Sequence, residues 1–336
     1  MDNGTIMHLA VSPVPDSSPG AESEFNCLAR FAQTAEAAGL DMVLLADAAS
    51  ASGGDVGNGR IPFEATTLLA ALATVTSKIG LVAAASTVAH QPYNLARRFA
   101  SLDIISHGRA GWNATIMQAP REAANFSRPE GFSDDDFRRR TDEYIGIVQG
   151  LWQGWDADAL LFDKAGGRFH DPEKMHLLDH KGEFFSVRGP LNVARSPQDA
   201  PVLVLSGLSE PDLDIAVRTA DVILLENGSV EGAKARFDDL RRRATVAGRD
   251  PDAVKVLTNI SLAADDRPAA VADRLESQFR ARSCDGFNIR LPAQPSALVD
   301  FADRVLPELR RRGLFREAYR GTTLRSHLGL AGGGDQ

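Results

Sequence analysis

Short apolar runs alternate with longer segments of helical hydrophobic spacing along most of the chain. The first apolar run covers residues 7–11. The segment 22–38 then carries apolar residues at the three- and four-residue spacing of an amphipathic helix and stops at Gly39. The next run, residues 41–47, is almost continuously apolar, which is typical of a parallel strand buried on both faces.

The same alternation continues into the C-terminal third and predicts eight strands, each followed by a helix. The six further strands are predicted at residues 79–85, 110–116, 201–206, 222–225, 254–262 and 286–291. The seven further helices are predicted at residues 63–76, 92–105, 133–152, 211–219, 230–247, 268–282 and 295–312. Strict alternation favours parallel strands joined by right-handed crossovers, and eight such units favour an α/β fold closed as a (β/α)8 TIM barrel. No glycine fingerprint of an open dinucleotide-binding fold follows the first strand.

One insertion interrupts the alternation between the fourth helix and the fifth strand, at about residues 156–200. It is rich in Phe, Leu and Val, so we expect an ordered excursion over the catalytic face rather than a disordered linker. We expect residues 1–330 to form one barrel domain and the glycine-rich residues 331–336 to be a disordered tail.

Composition narrows the class of protein. The apolar share of 43% and the charged share of 24% are ordinary for a globular protein. A net charge of −8 argues against nonspecific binding to nucleic acid or to an anionic membrane. The first residues do not have the pattern of a signal peptide, and no window resembles a membrane span. We therefore expect a cytoplasmic protein.

A resemblance becomes specific at residues 79–116, which read IGLVAAASTVAHQPYNLARRFASLDIISHGRAGWNATI. Three further blocks, residues 176–204, 271–289 and 305–330, agree in the same order. Together they resemble the nitrilotriacetate and dibenzothiophene-sulfone monooxygenase branch of the luciferase-like flavin-dependent monooxygenases. The resemblance covers most of the chain and implies a barrel that binds FMN at the C-terminal ends of its strands.

The resemblance also implies a reaction and its partners. Reduced FMN would arrive as a cosubstrate from a separate NAD(P)H-dependent flavin reductase and react with O2, and the resulting peroxyflavin would oxygenate a small organic substrate. The excursion would help to exclude water from this chemistry. The resemblance implies a homodimer or a dimer of dimers and leaves the substrate open.

Four residues are expected beside the flavin ring by resemblance. Asp47 closes the second strand, where a cap on a loop or helix is the alternative. Ser86 and Thr87 end the third strand and would meet the pyrimidine edge, unless they satisfy their own strand end. Asn113 is an amide within an apolar fourth strand, and a buried amide needs polar partners. Its neighbour Trp112 is expected in the outer packing layer.

The phosphate end departs from the family pattern. Gly207 and Ser209 remain at the end of the fifth strand, where backbone N–H groups would cradle the phosphate. Asp212 stands where relatives have glycine, so Ser209 and Asp212 alternatively form a capping pair. The family's His-x-x-Arg-Tyr stretch is replaced here, so that Arg138 or Arg139 would hold the phosphate, or belong to a solvated charged helix face.

The histidines offer proton donors rather than a metal site. His90, after the third strand, is the preferred catalytic candidate on the substrate side, and His8 is also expected near the barrel mouth. His176 and His180 are four residues apart but lack an evident third ligand, so we expect no metal.

Two other functions remain open at this point. The chain could be a dehydrogenase that uses a flavin or a deazaflavin. Alternatively, the altered phosphate end could mark a noncatalytic partner subunit with weakened flavin binding.

Overall fold

Eight parallel strands form a closed barrel in the computed structural model, which describes residues 6–14, 24–46, 63–116, 125–126, 130–262 and 266–332. Each strand pairs with the strands before and after it in the chain, and the last pairs with the first. The predicted TIM barrel is therefore confirmed. The strands are β1 (His8–Val14), β2 (Met42–Leu45), β3 (Gly80–Ala84), β4 (Ala110–Thr115), β5 (Val202–Ser206), β6 (Val222–Glu226), β7 (Lys255–Ser261) and β8 (Gly286–Pro292).

Helices surround the barrel close to the predicted positions. They are α1 (Glu24–Ala37), α2 (Ala65–Ala73), α3 (Pro92–Ile105), α4 (Asp134–Trp152), α5 (Leu213–Thr219), α6 (Val230–Val246), α7 (Pro268–Arg280), α8 (Pro295–Arg304), α9 (Leu306–Arg311) and α10 (Leu324–His327). The predicted helix 295–312 is divided, because Pro307 lacks the backbone N–H that would continue α8 into α9. The predicted helix 211–219 begins as a 3-10 turn, Glu210–Asp212. The short α10 was not predicted.

Alternation along the strands separates two apolar layers. Outward side chains such as Leu203, Leu205 and Trp112 pack with the helices in the larger core. The inward side chains form a second, smaller core inside the barrel: Ala10, Met42, Leu44, Val82, Val202, Val204, Val222, Leu224 and Leu257. This inner core fills the middle of the barrel, so polar inward side chains near the strand ends surround a mouth with an apolar floor.

The C-terminal segment closes the opposite end of the barrel. Leu324, Leu328 and Leu330 belong to the inner core, and Leu324 N donates to Gly108 O at 3.0 Å just before β4 begins. A Cβ atom on Gly80, at the start of β3, would overlap the Leu324 side chain. The barrel is thus closed at its N-terminal end by α10 and the residues that follow it, which we call the C-terminal plug (residues 324–330).

A buried ionic cluster lies beside this plug. Asp41 is fully buried, accepts from Leu9 N at 2.6 Å and is paired with Arg316. His8 lies 3.5 Å from the same carboxylate. The prediction that His8 lies near the barrel mouth is therefore wrong, because His8 is the first residue of β1 and parallel strands begin at the end opposite the mouth. His327 stacks on the Tyr319 ring, with centroids 4.7 Å apart.

Acid should weaken the fold through these two histidines. Burial, with Lys255 and Arg316 nearby, lowers the pKa of His8 from 6.5 to about 3, although Asp285 opposes the shift. Burial and then Arg316 lower the pKa of His327 to about 4. The unfolded chain therefore binds protons that the folded chain excludes, so stability is complete above pH 6.5 and falls as the pH drops below it.

We expect His327→Phe to lose less stability between pH 7 and pH 4 than the parent protein, by on the order of 2–3 kcal/mol. The phenyl ring keeps the stacking on Tyr319 but cannot be protonated. Urea unfolding at several pH values measures the difference. Equally steep acid losses in both proteins would show that folding does not lower the pKa of His327.

The excursion between α4 and β5 is ordered and follows the outer flank of α4. It contains two antiparallel strand pairs, Leu160–Asp163 with Arg168–His170 and His180–Lys181 with Ser186–Val187. Glu143 of α4 accepts from Phe184 N and Phe185 N, each at 2.9 Å. Glu183, at the excursion tip, pairs with Arg139 near the start of α4. That the excursion covers the mouth, and that residues 1–330 form one domain, stay predictions.

Membrane insertion finds no support in the helices of the described ranges. None of them is both long enough and apolar enough to cross a bilayer.

Candidate active site

The amide of Asn113 lies on the inward face of β4, near the mouth. Its neighbour Trp112 is fully buried on the outward face, as the alternation of side chains along the strand predicted. There its Nε1–H donates to Ala85 O at 2.9 Å. Because successive side chains alternate, this anchoring of Trp112 turns Asn113 into the barrel. Asn113 Oδ1 accepts from Ser206 Oγ at 2.9 Å, a contact between β4 and β5 that orients the amide.

Two hydroxyl groups follow β3 and differ in their partners. Ser86 is half-buried, and its Oγ accepts from Val88 N at 3.0 Å, so it satisfies its own strand end. Thr87 is 1% exposed, and its Oγ1 has no hydrogen-bond partner among the described residues. An unpaired buried hydroxyl costs about 1–3 kcal/mol, and a ligand that pairs with it would recover this energy. Thr87 therefore marks a position where a polar ligand group is expected.

The remaining candidates on this side are only partly described. His90 is half-buried in the turn between β3 and α3, at the mouth end of the barrel. Asp47 lies outside the described residues. The ends of β3 and β4, which are neighbours in the barrel, thus bring Thr87, His90 and Asn113 to one side of the mouth.

The exit of β5 is organised around a buried carboxylate. Asp212 is 5% exposed and accepts from Ser209 N at 2.8 Å and from Ser209 Oγ. Its other oxygen lies 3.4 Å from Arg138 Nε. Gly207 precedes this turn with a φ of 69°, in the left-handed region that glycine favours. The structure therefore brings Arg138 and Ser209 together and shows the capping pair of Ser209 and Asp212.

A further set of polar side chains lies across the mouth and was missed by sequence reasoning. Ser12 Oγ donates to Asn288 Oδ1 at 3.0 Å, and Asn288 Nδ2 donates to Asn259 Oδ1 at 2.8 Å. Asn259 Nδ2 donates to Glu226 Oε1 at 2.8 Å, and Arg290 pairs with the same carboxylate at 2.8 Å. We call these five residues the polar band; it spans β1, β8, β7 and β6, which are consecutive in the barrel.

A signal for the polar band was present in the sequence. Asn259 is 6% exposed and Asn288 is 3% exposed, and each stands next to apolar residues of a buried strand, as Asn113 does. The reasoning that selected Asn113 therefore applies equally to these two amides, because a buried amide must find polar partners.

Two histidines of the excursion, His176 and His180, face different carboxylates. His176 Nε2 lies 3.0 Å from Asp156 Oδ1, and His180 Nε2 lies 2.9 Å from Glu143 Oε1. Across the described ranges, no group of three or more His, Cys, Asp or Glu side chains is arranged to hold a metal ion. Among the described residues, this mouth presents amides, hydroxyls, His90 and ion pairs around an apolar floor.

Comparison with known proteins gives one family. The sequence profile described as luciferase-like monooxygenase matches residues 6–323. The chain is 34% identical to the N-acetyl-S-(2-succino)cysteine monooxygenase of Bacillus subtilis (strain 168), over 97% of this chain and 95% of that protein. It is 32% identical to nitrilotriacetate monooxygenase component A of Aminobacter aminovorans, over 94% and 92% of the two chains.

A solved structure agrees with these relatives. The riboflavin lyase RcaE, crystallised with modified FMN and the substrate riboflavin, superposes with a TM-score of 0.85 and 27% identity, over 97% of this chain and 96% of that chain. The alignment with the Bacillus subtilis protein runs over 417 positions, more than the 336 residues of this chain. That relative therefore carries internal stretches that this chain lacks.

Proposed function

Because this chain belongs to the luciferase-like monooxygenase family, we propose that it is a flavin-dependent monooxygenase that uses reduced FMN and O2 to oxygenate a small organic substrate. The family and the barrel fold predicted from the sequence are confirmed. The cosubstrate and the type of reaction follow from flavin-dependent relatives, among them a nitrilotriacetate monooxygenase whose name marks it as one component of an enzyme.

The observation that carries the proposal is the unsatisfied polar edge between β3 and β4. Thr87 Oγ1 is buried without a partner in the described structure, and Asn113 presents an amide that Ser206 orients. A flavin ring edge alternates carbonyl and N–H groups, so a hydroxyl and an amide near the ends of neighbouring strands are suitable partners for it. The residues at this edge therefore fit the ring of the cofactor.

When bound, reduced flavin would supply the electrons for O2 activation, and the protein would position it and exclude water. Asn113, Thr87 and Ser206 would orient the ring by hydrogen bonds. The inner core below, including Val82 and Val204, and the C-terminal plug leave no described water path from the opposite end of the barrel. Side reactions with water would then be limited to the mouth.

The substrate would meet the opposite side of the mouth. There the polar band offers amide groups from Asn259 and Asn288 and an ion pair between Glu226 and Arg290, whose side chains are 69% and 38% exposed. Polar groups of a small molecule could pair with this band while its reacting atom faces the flavin. His90 stays the proposed substrate-side proton donor.

Two further parts of the proposal concern partners. A separate NAD(P)H-dependent flavin reductase would supply the reduced cofactor. The chain would act as a homodimer or a dimer of dimers.

Anaerobic titration of the purified protein with oxidised and with reduced FMN tests the proposal. We expect saturable binding that is tighter for the reduced form. Changes in flavin fluorescence and absorbance report the binding. A flavin reductase, NADH and labelled O2 added with a panel of small polar compounds should then give a labelled product. If neither redox state of the cofactor binds, the chain does not act as a flavin-dependent monooxygenase.

A further inference from the structure

We propose that this chain recognises flavin by its ring and ribityl portion and makes no use of the terminal phosphate, so that riboflavin binds as tightly as FMN. The inference rests on the flavin dependence proposed above. It concerns the place where β5 leads into α5 beside the start of α4. We call it the β5 corner and define it by Ser209, Asp212 and Arg138.

The donors that would hold a phosphate here already hold the carboxylate of Asp212. Ser209 contributes its backbone N–H at 2.8 Å and its hydroxyl, and Arg138 contributes Nε at 3.4 Å. Asp212 is 5% exposed, so its carboxylate is inside the corner rather than on its rim. A side-chain anion thus occupies the position in which a turn at the start of a helix would bind an external anion.

Three backbone positions of the turn offer no free N–H donor. Pro211 has no N–H, Asp212 N donates to Ser209 O at 3.0 Å, and Leu213 N donates to Glu210 O. The helix that follows, α5, has seven residues, so its dipole adds little. The Asp212 and Leu213 N–H groups are therefore used within the turn itself.

Arg138 of the corner and Arg243 beside α5 both pair with carboxylates. Arg138 Nη1 donates to Asp135 at 2.9 Å in addition to its contact with Asp212. Arg243, which lies beside α5, pairs with Asp214 at 2.8 Å. A phosphate that binds here would compete with these carboxylates for the guanidinium groups.

Net charge at the corner also opposes a phosphate. The first turn of α4 carries three carboxylates, at Asp134, Asp135 and Asp136. These negative charges lie at the N-terminus of the helix, which is the end at which a helix would bind an anion. A phosphate monoester carries about two negative charges near pH 7. Beside the buried Asp212 carboxylate it would meet like charge in a site of low dielectric. Thr87 Oγ1, where the ring edge would lie, has by contrast no hydrogen-bond partner among the described residues.

The test compares the dissociation constants of FMN and riboflavin, both oxidised, by fluorescence quenching. In the parent protein we expect the two constants to agree within about threefold. Asp212→Asn keeps the shape and an acceptor for Ser209 but removes the charge. We expect this variant to bind FMN at least tenfold more tightly than riboflavin, with the riboflavin constant unchanged.

Asp214→Asn is the matched control. It removes a carboxylate two residues from Asp212, and the side chain of Asp214 is 70% exposed. It should leave the ratio of the two constants near its parent value, because exposed charges are screened. Arg138→Ala should weaken the binding of both flavins equally or of neither. Parent protein that prefers FMN tenfold or more, with that preference lost in Arg138→Ala, would overturn the inference and uphold the proposed flavin dependence. Absence of binding of either flavin to the parent protein and to Asp212→Asn would overturn both.

Discussion

Replacing Asn113 by leucine is expected to weaken flavin binding and to lower flavin-dependent turnover at least tenfold, since each lost buried hydrogen bond costs about 1–3 kcal/mol. Leucine has the same number and branching of side-chain heavy atoms as asparagine, so it is the nearest apolar replacement in shape. The substitution removes the amide at the ring edge and leaves the Ser206 hydroxyl without its 2.9 Å acceptor. Flavin titration and steady-state turnover with a reductase measure the two effects.

Two further variants separate a functional loss from a structural one. Asn113→Leu combined with Ser206→Ala removes the stranded hydroxyl, so it should recover thermal stability without recovering flavin affinity. Asn192→Leu makes the same exchange at an exposed position of the excursion and should change neither quantity. Unaltered flavin affinity in a folded Asn113→Leu protein would exclude Asn113 from the site.

Replacing Gly286 by alanine is expected to destabilise the barrel by about 3 kcal/mol or more, at the upper range for overpacking. Gly286 begins β8 and pairs with His8 of β1, at the seam where the last strand meets the first. A Cβ atom there would overlap the backbone carbonyl of His8. A strand backbone held on both sides cannot move away as a flexible side chain can. Chemical unfolding of the purified variant measures the loss.

Gly146→Ala provides the contrast, because a Cβ on that residue of α4 would meet nothing within 4 Å. Alanine in a helix interior is favoured over glycine by about 0.5–1 kcal/mol, so this variant should be slightly more stable than the parent. A Gly286→Ala protein as stable as Gly146→Ala would show that β1 and β8 can separate at no cost.

Much of the fold could be predicted because strand and helix periods differ clearly in this sequence. The continuous apolar run at β2 and the bounded runs at β3 and β5 left little choice of element, and eight repeats left little choice of topology. The break between α8 and α9 was missed although Pro307 signals it. The C-terminal plug was missed because Leu324, Leu328 and Leu330 give too short a pattern to define a helix.

The sequence predicted some residues of the candidate site and missed others, for a physical reason. Sequence shows that an amide such as Asn113 stands in an apolar strand, but only the closed barrel shows which other strand ends face it. His8 was therefore placed at the wrong end, and Asn259 and Asn288 were passed over. The turn at Ser209 and Asp212 was recognised as a cap or a phosphate cradle, and only coordinates could show that the carboxylate lies inside the corner.

The position of the plug has a consequence for how the chain matures during synthesis. Ribosomes deliver residues in order, so β1 emerges first, yet it needs β8 as its neighbour and the inner core needs residues 324–330. Until β8 and residues 324–330 have been released, one edge of β1 and the lower opening of the cylinder stay uncovered. Nascent chains stalled before Leu324 should therefore remain protease-sensitive clients of chaperones, because contacts that join sequence ends form late.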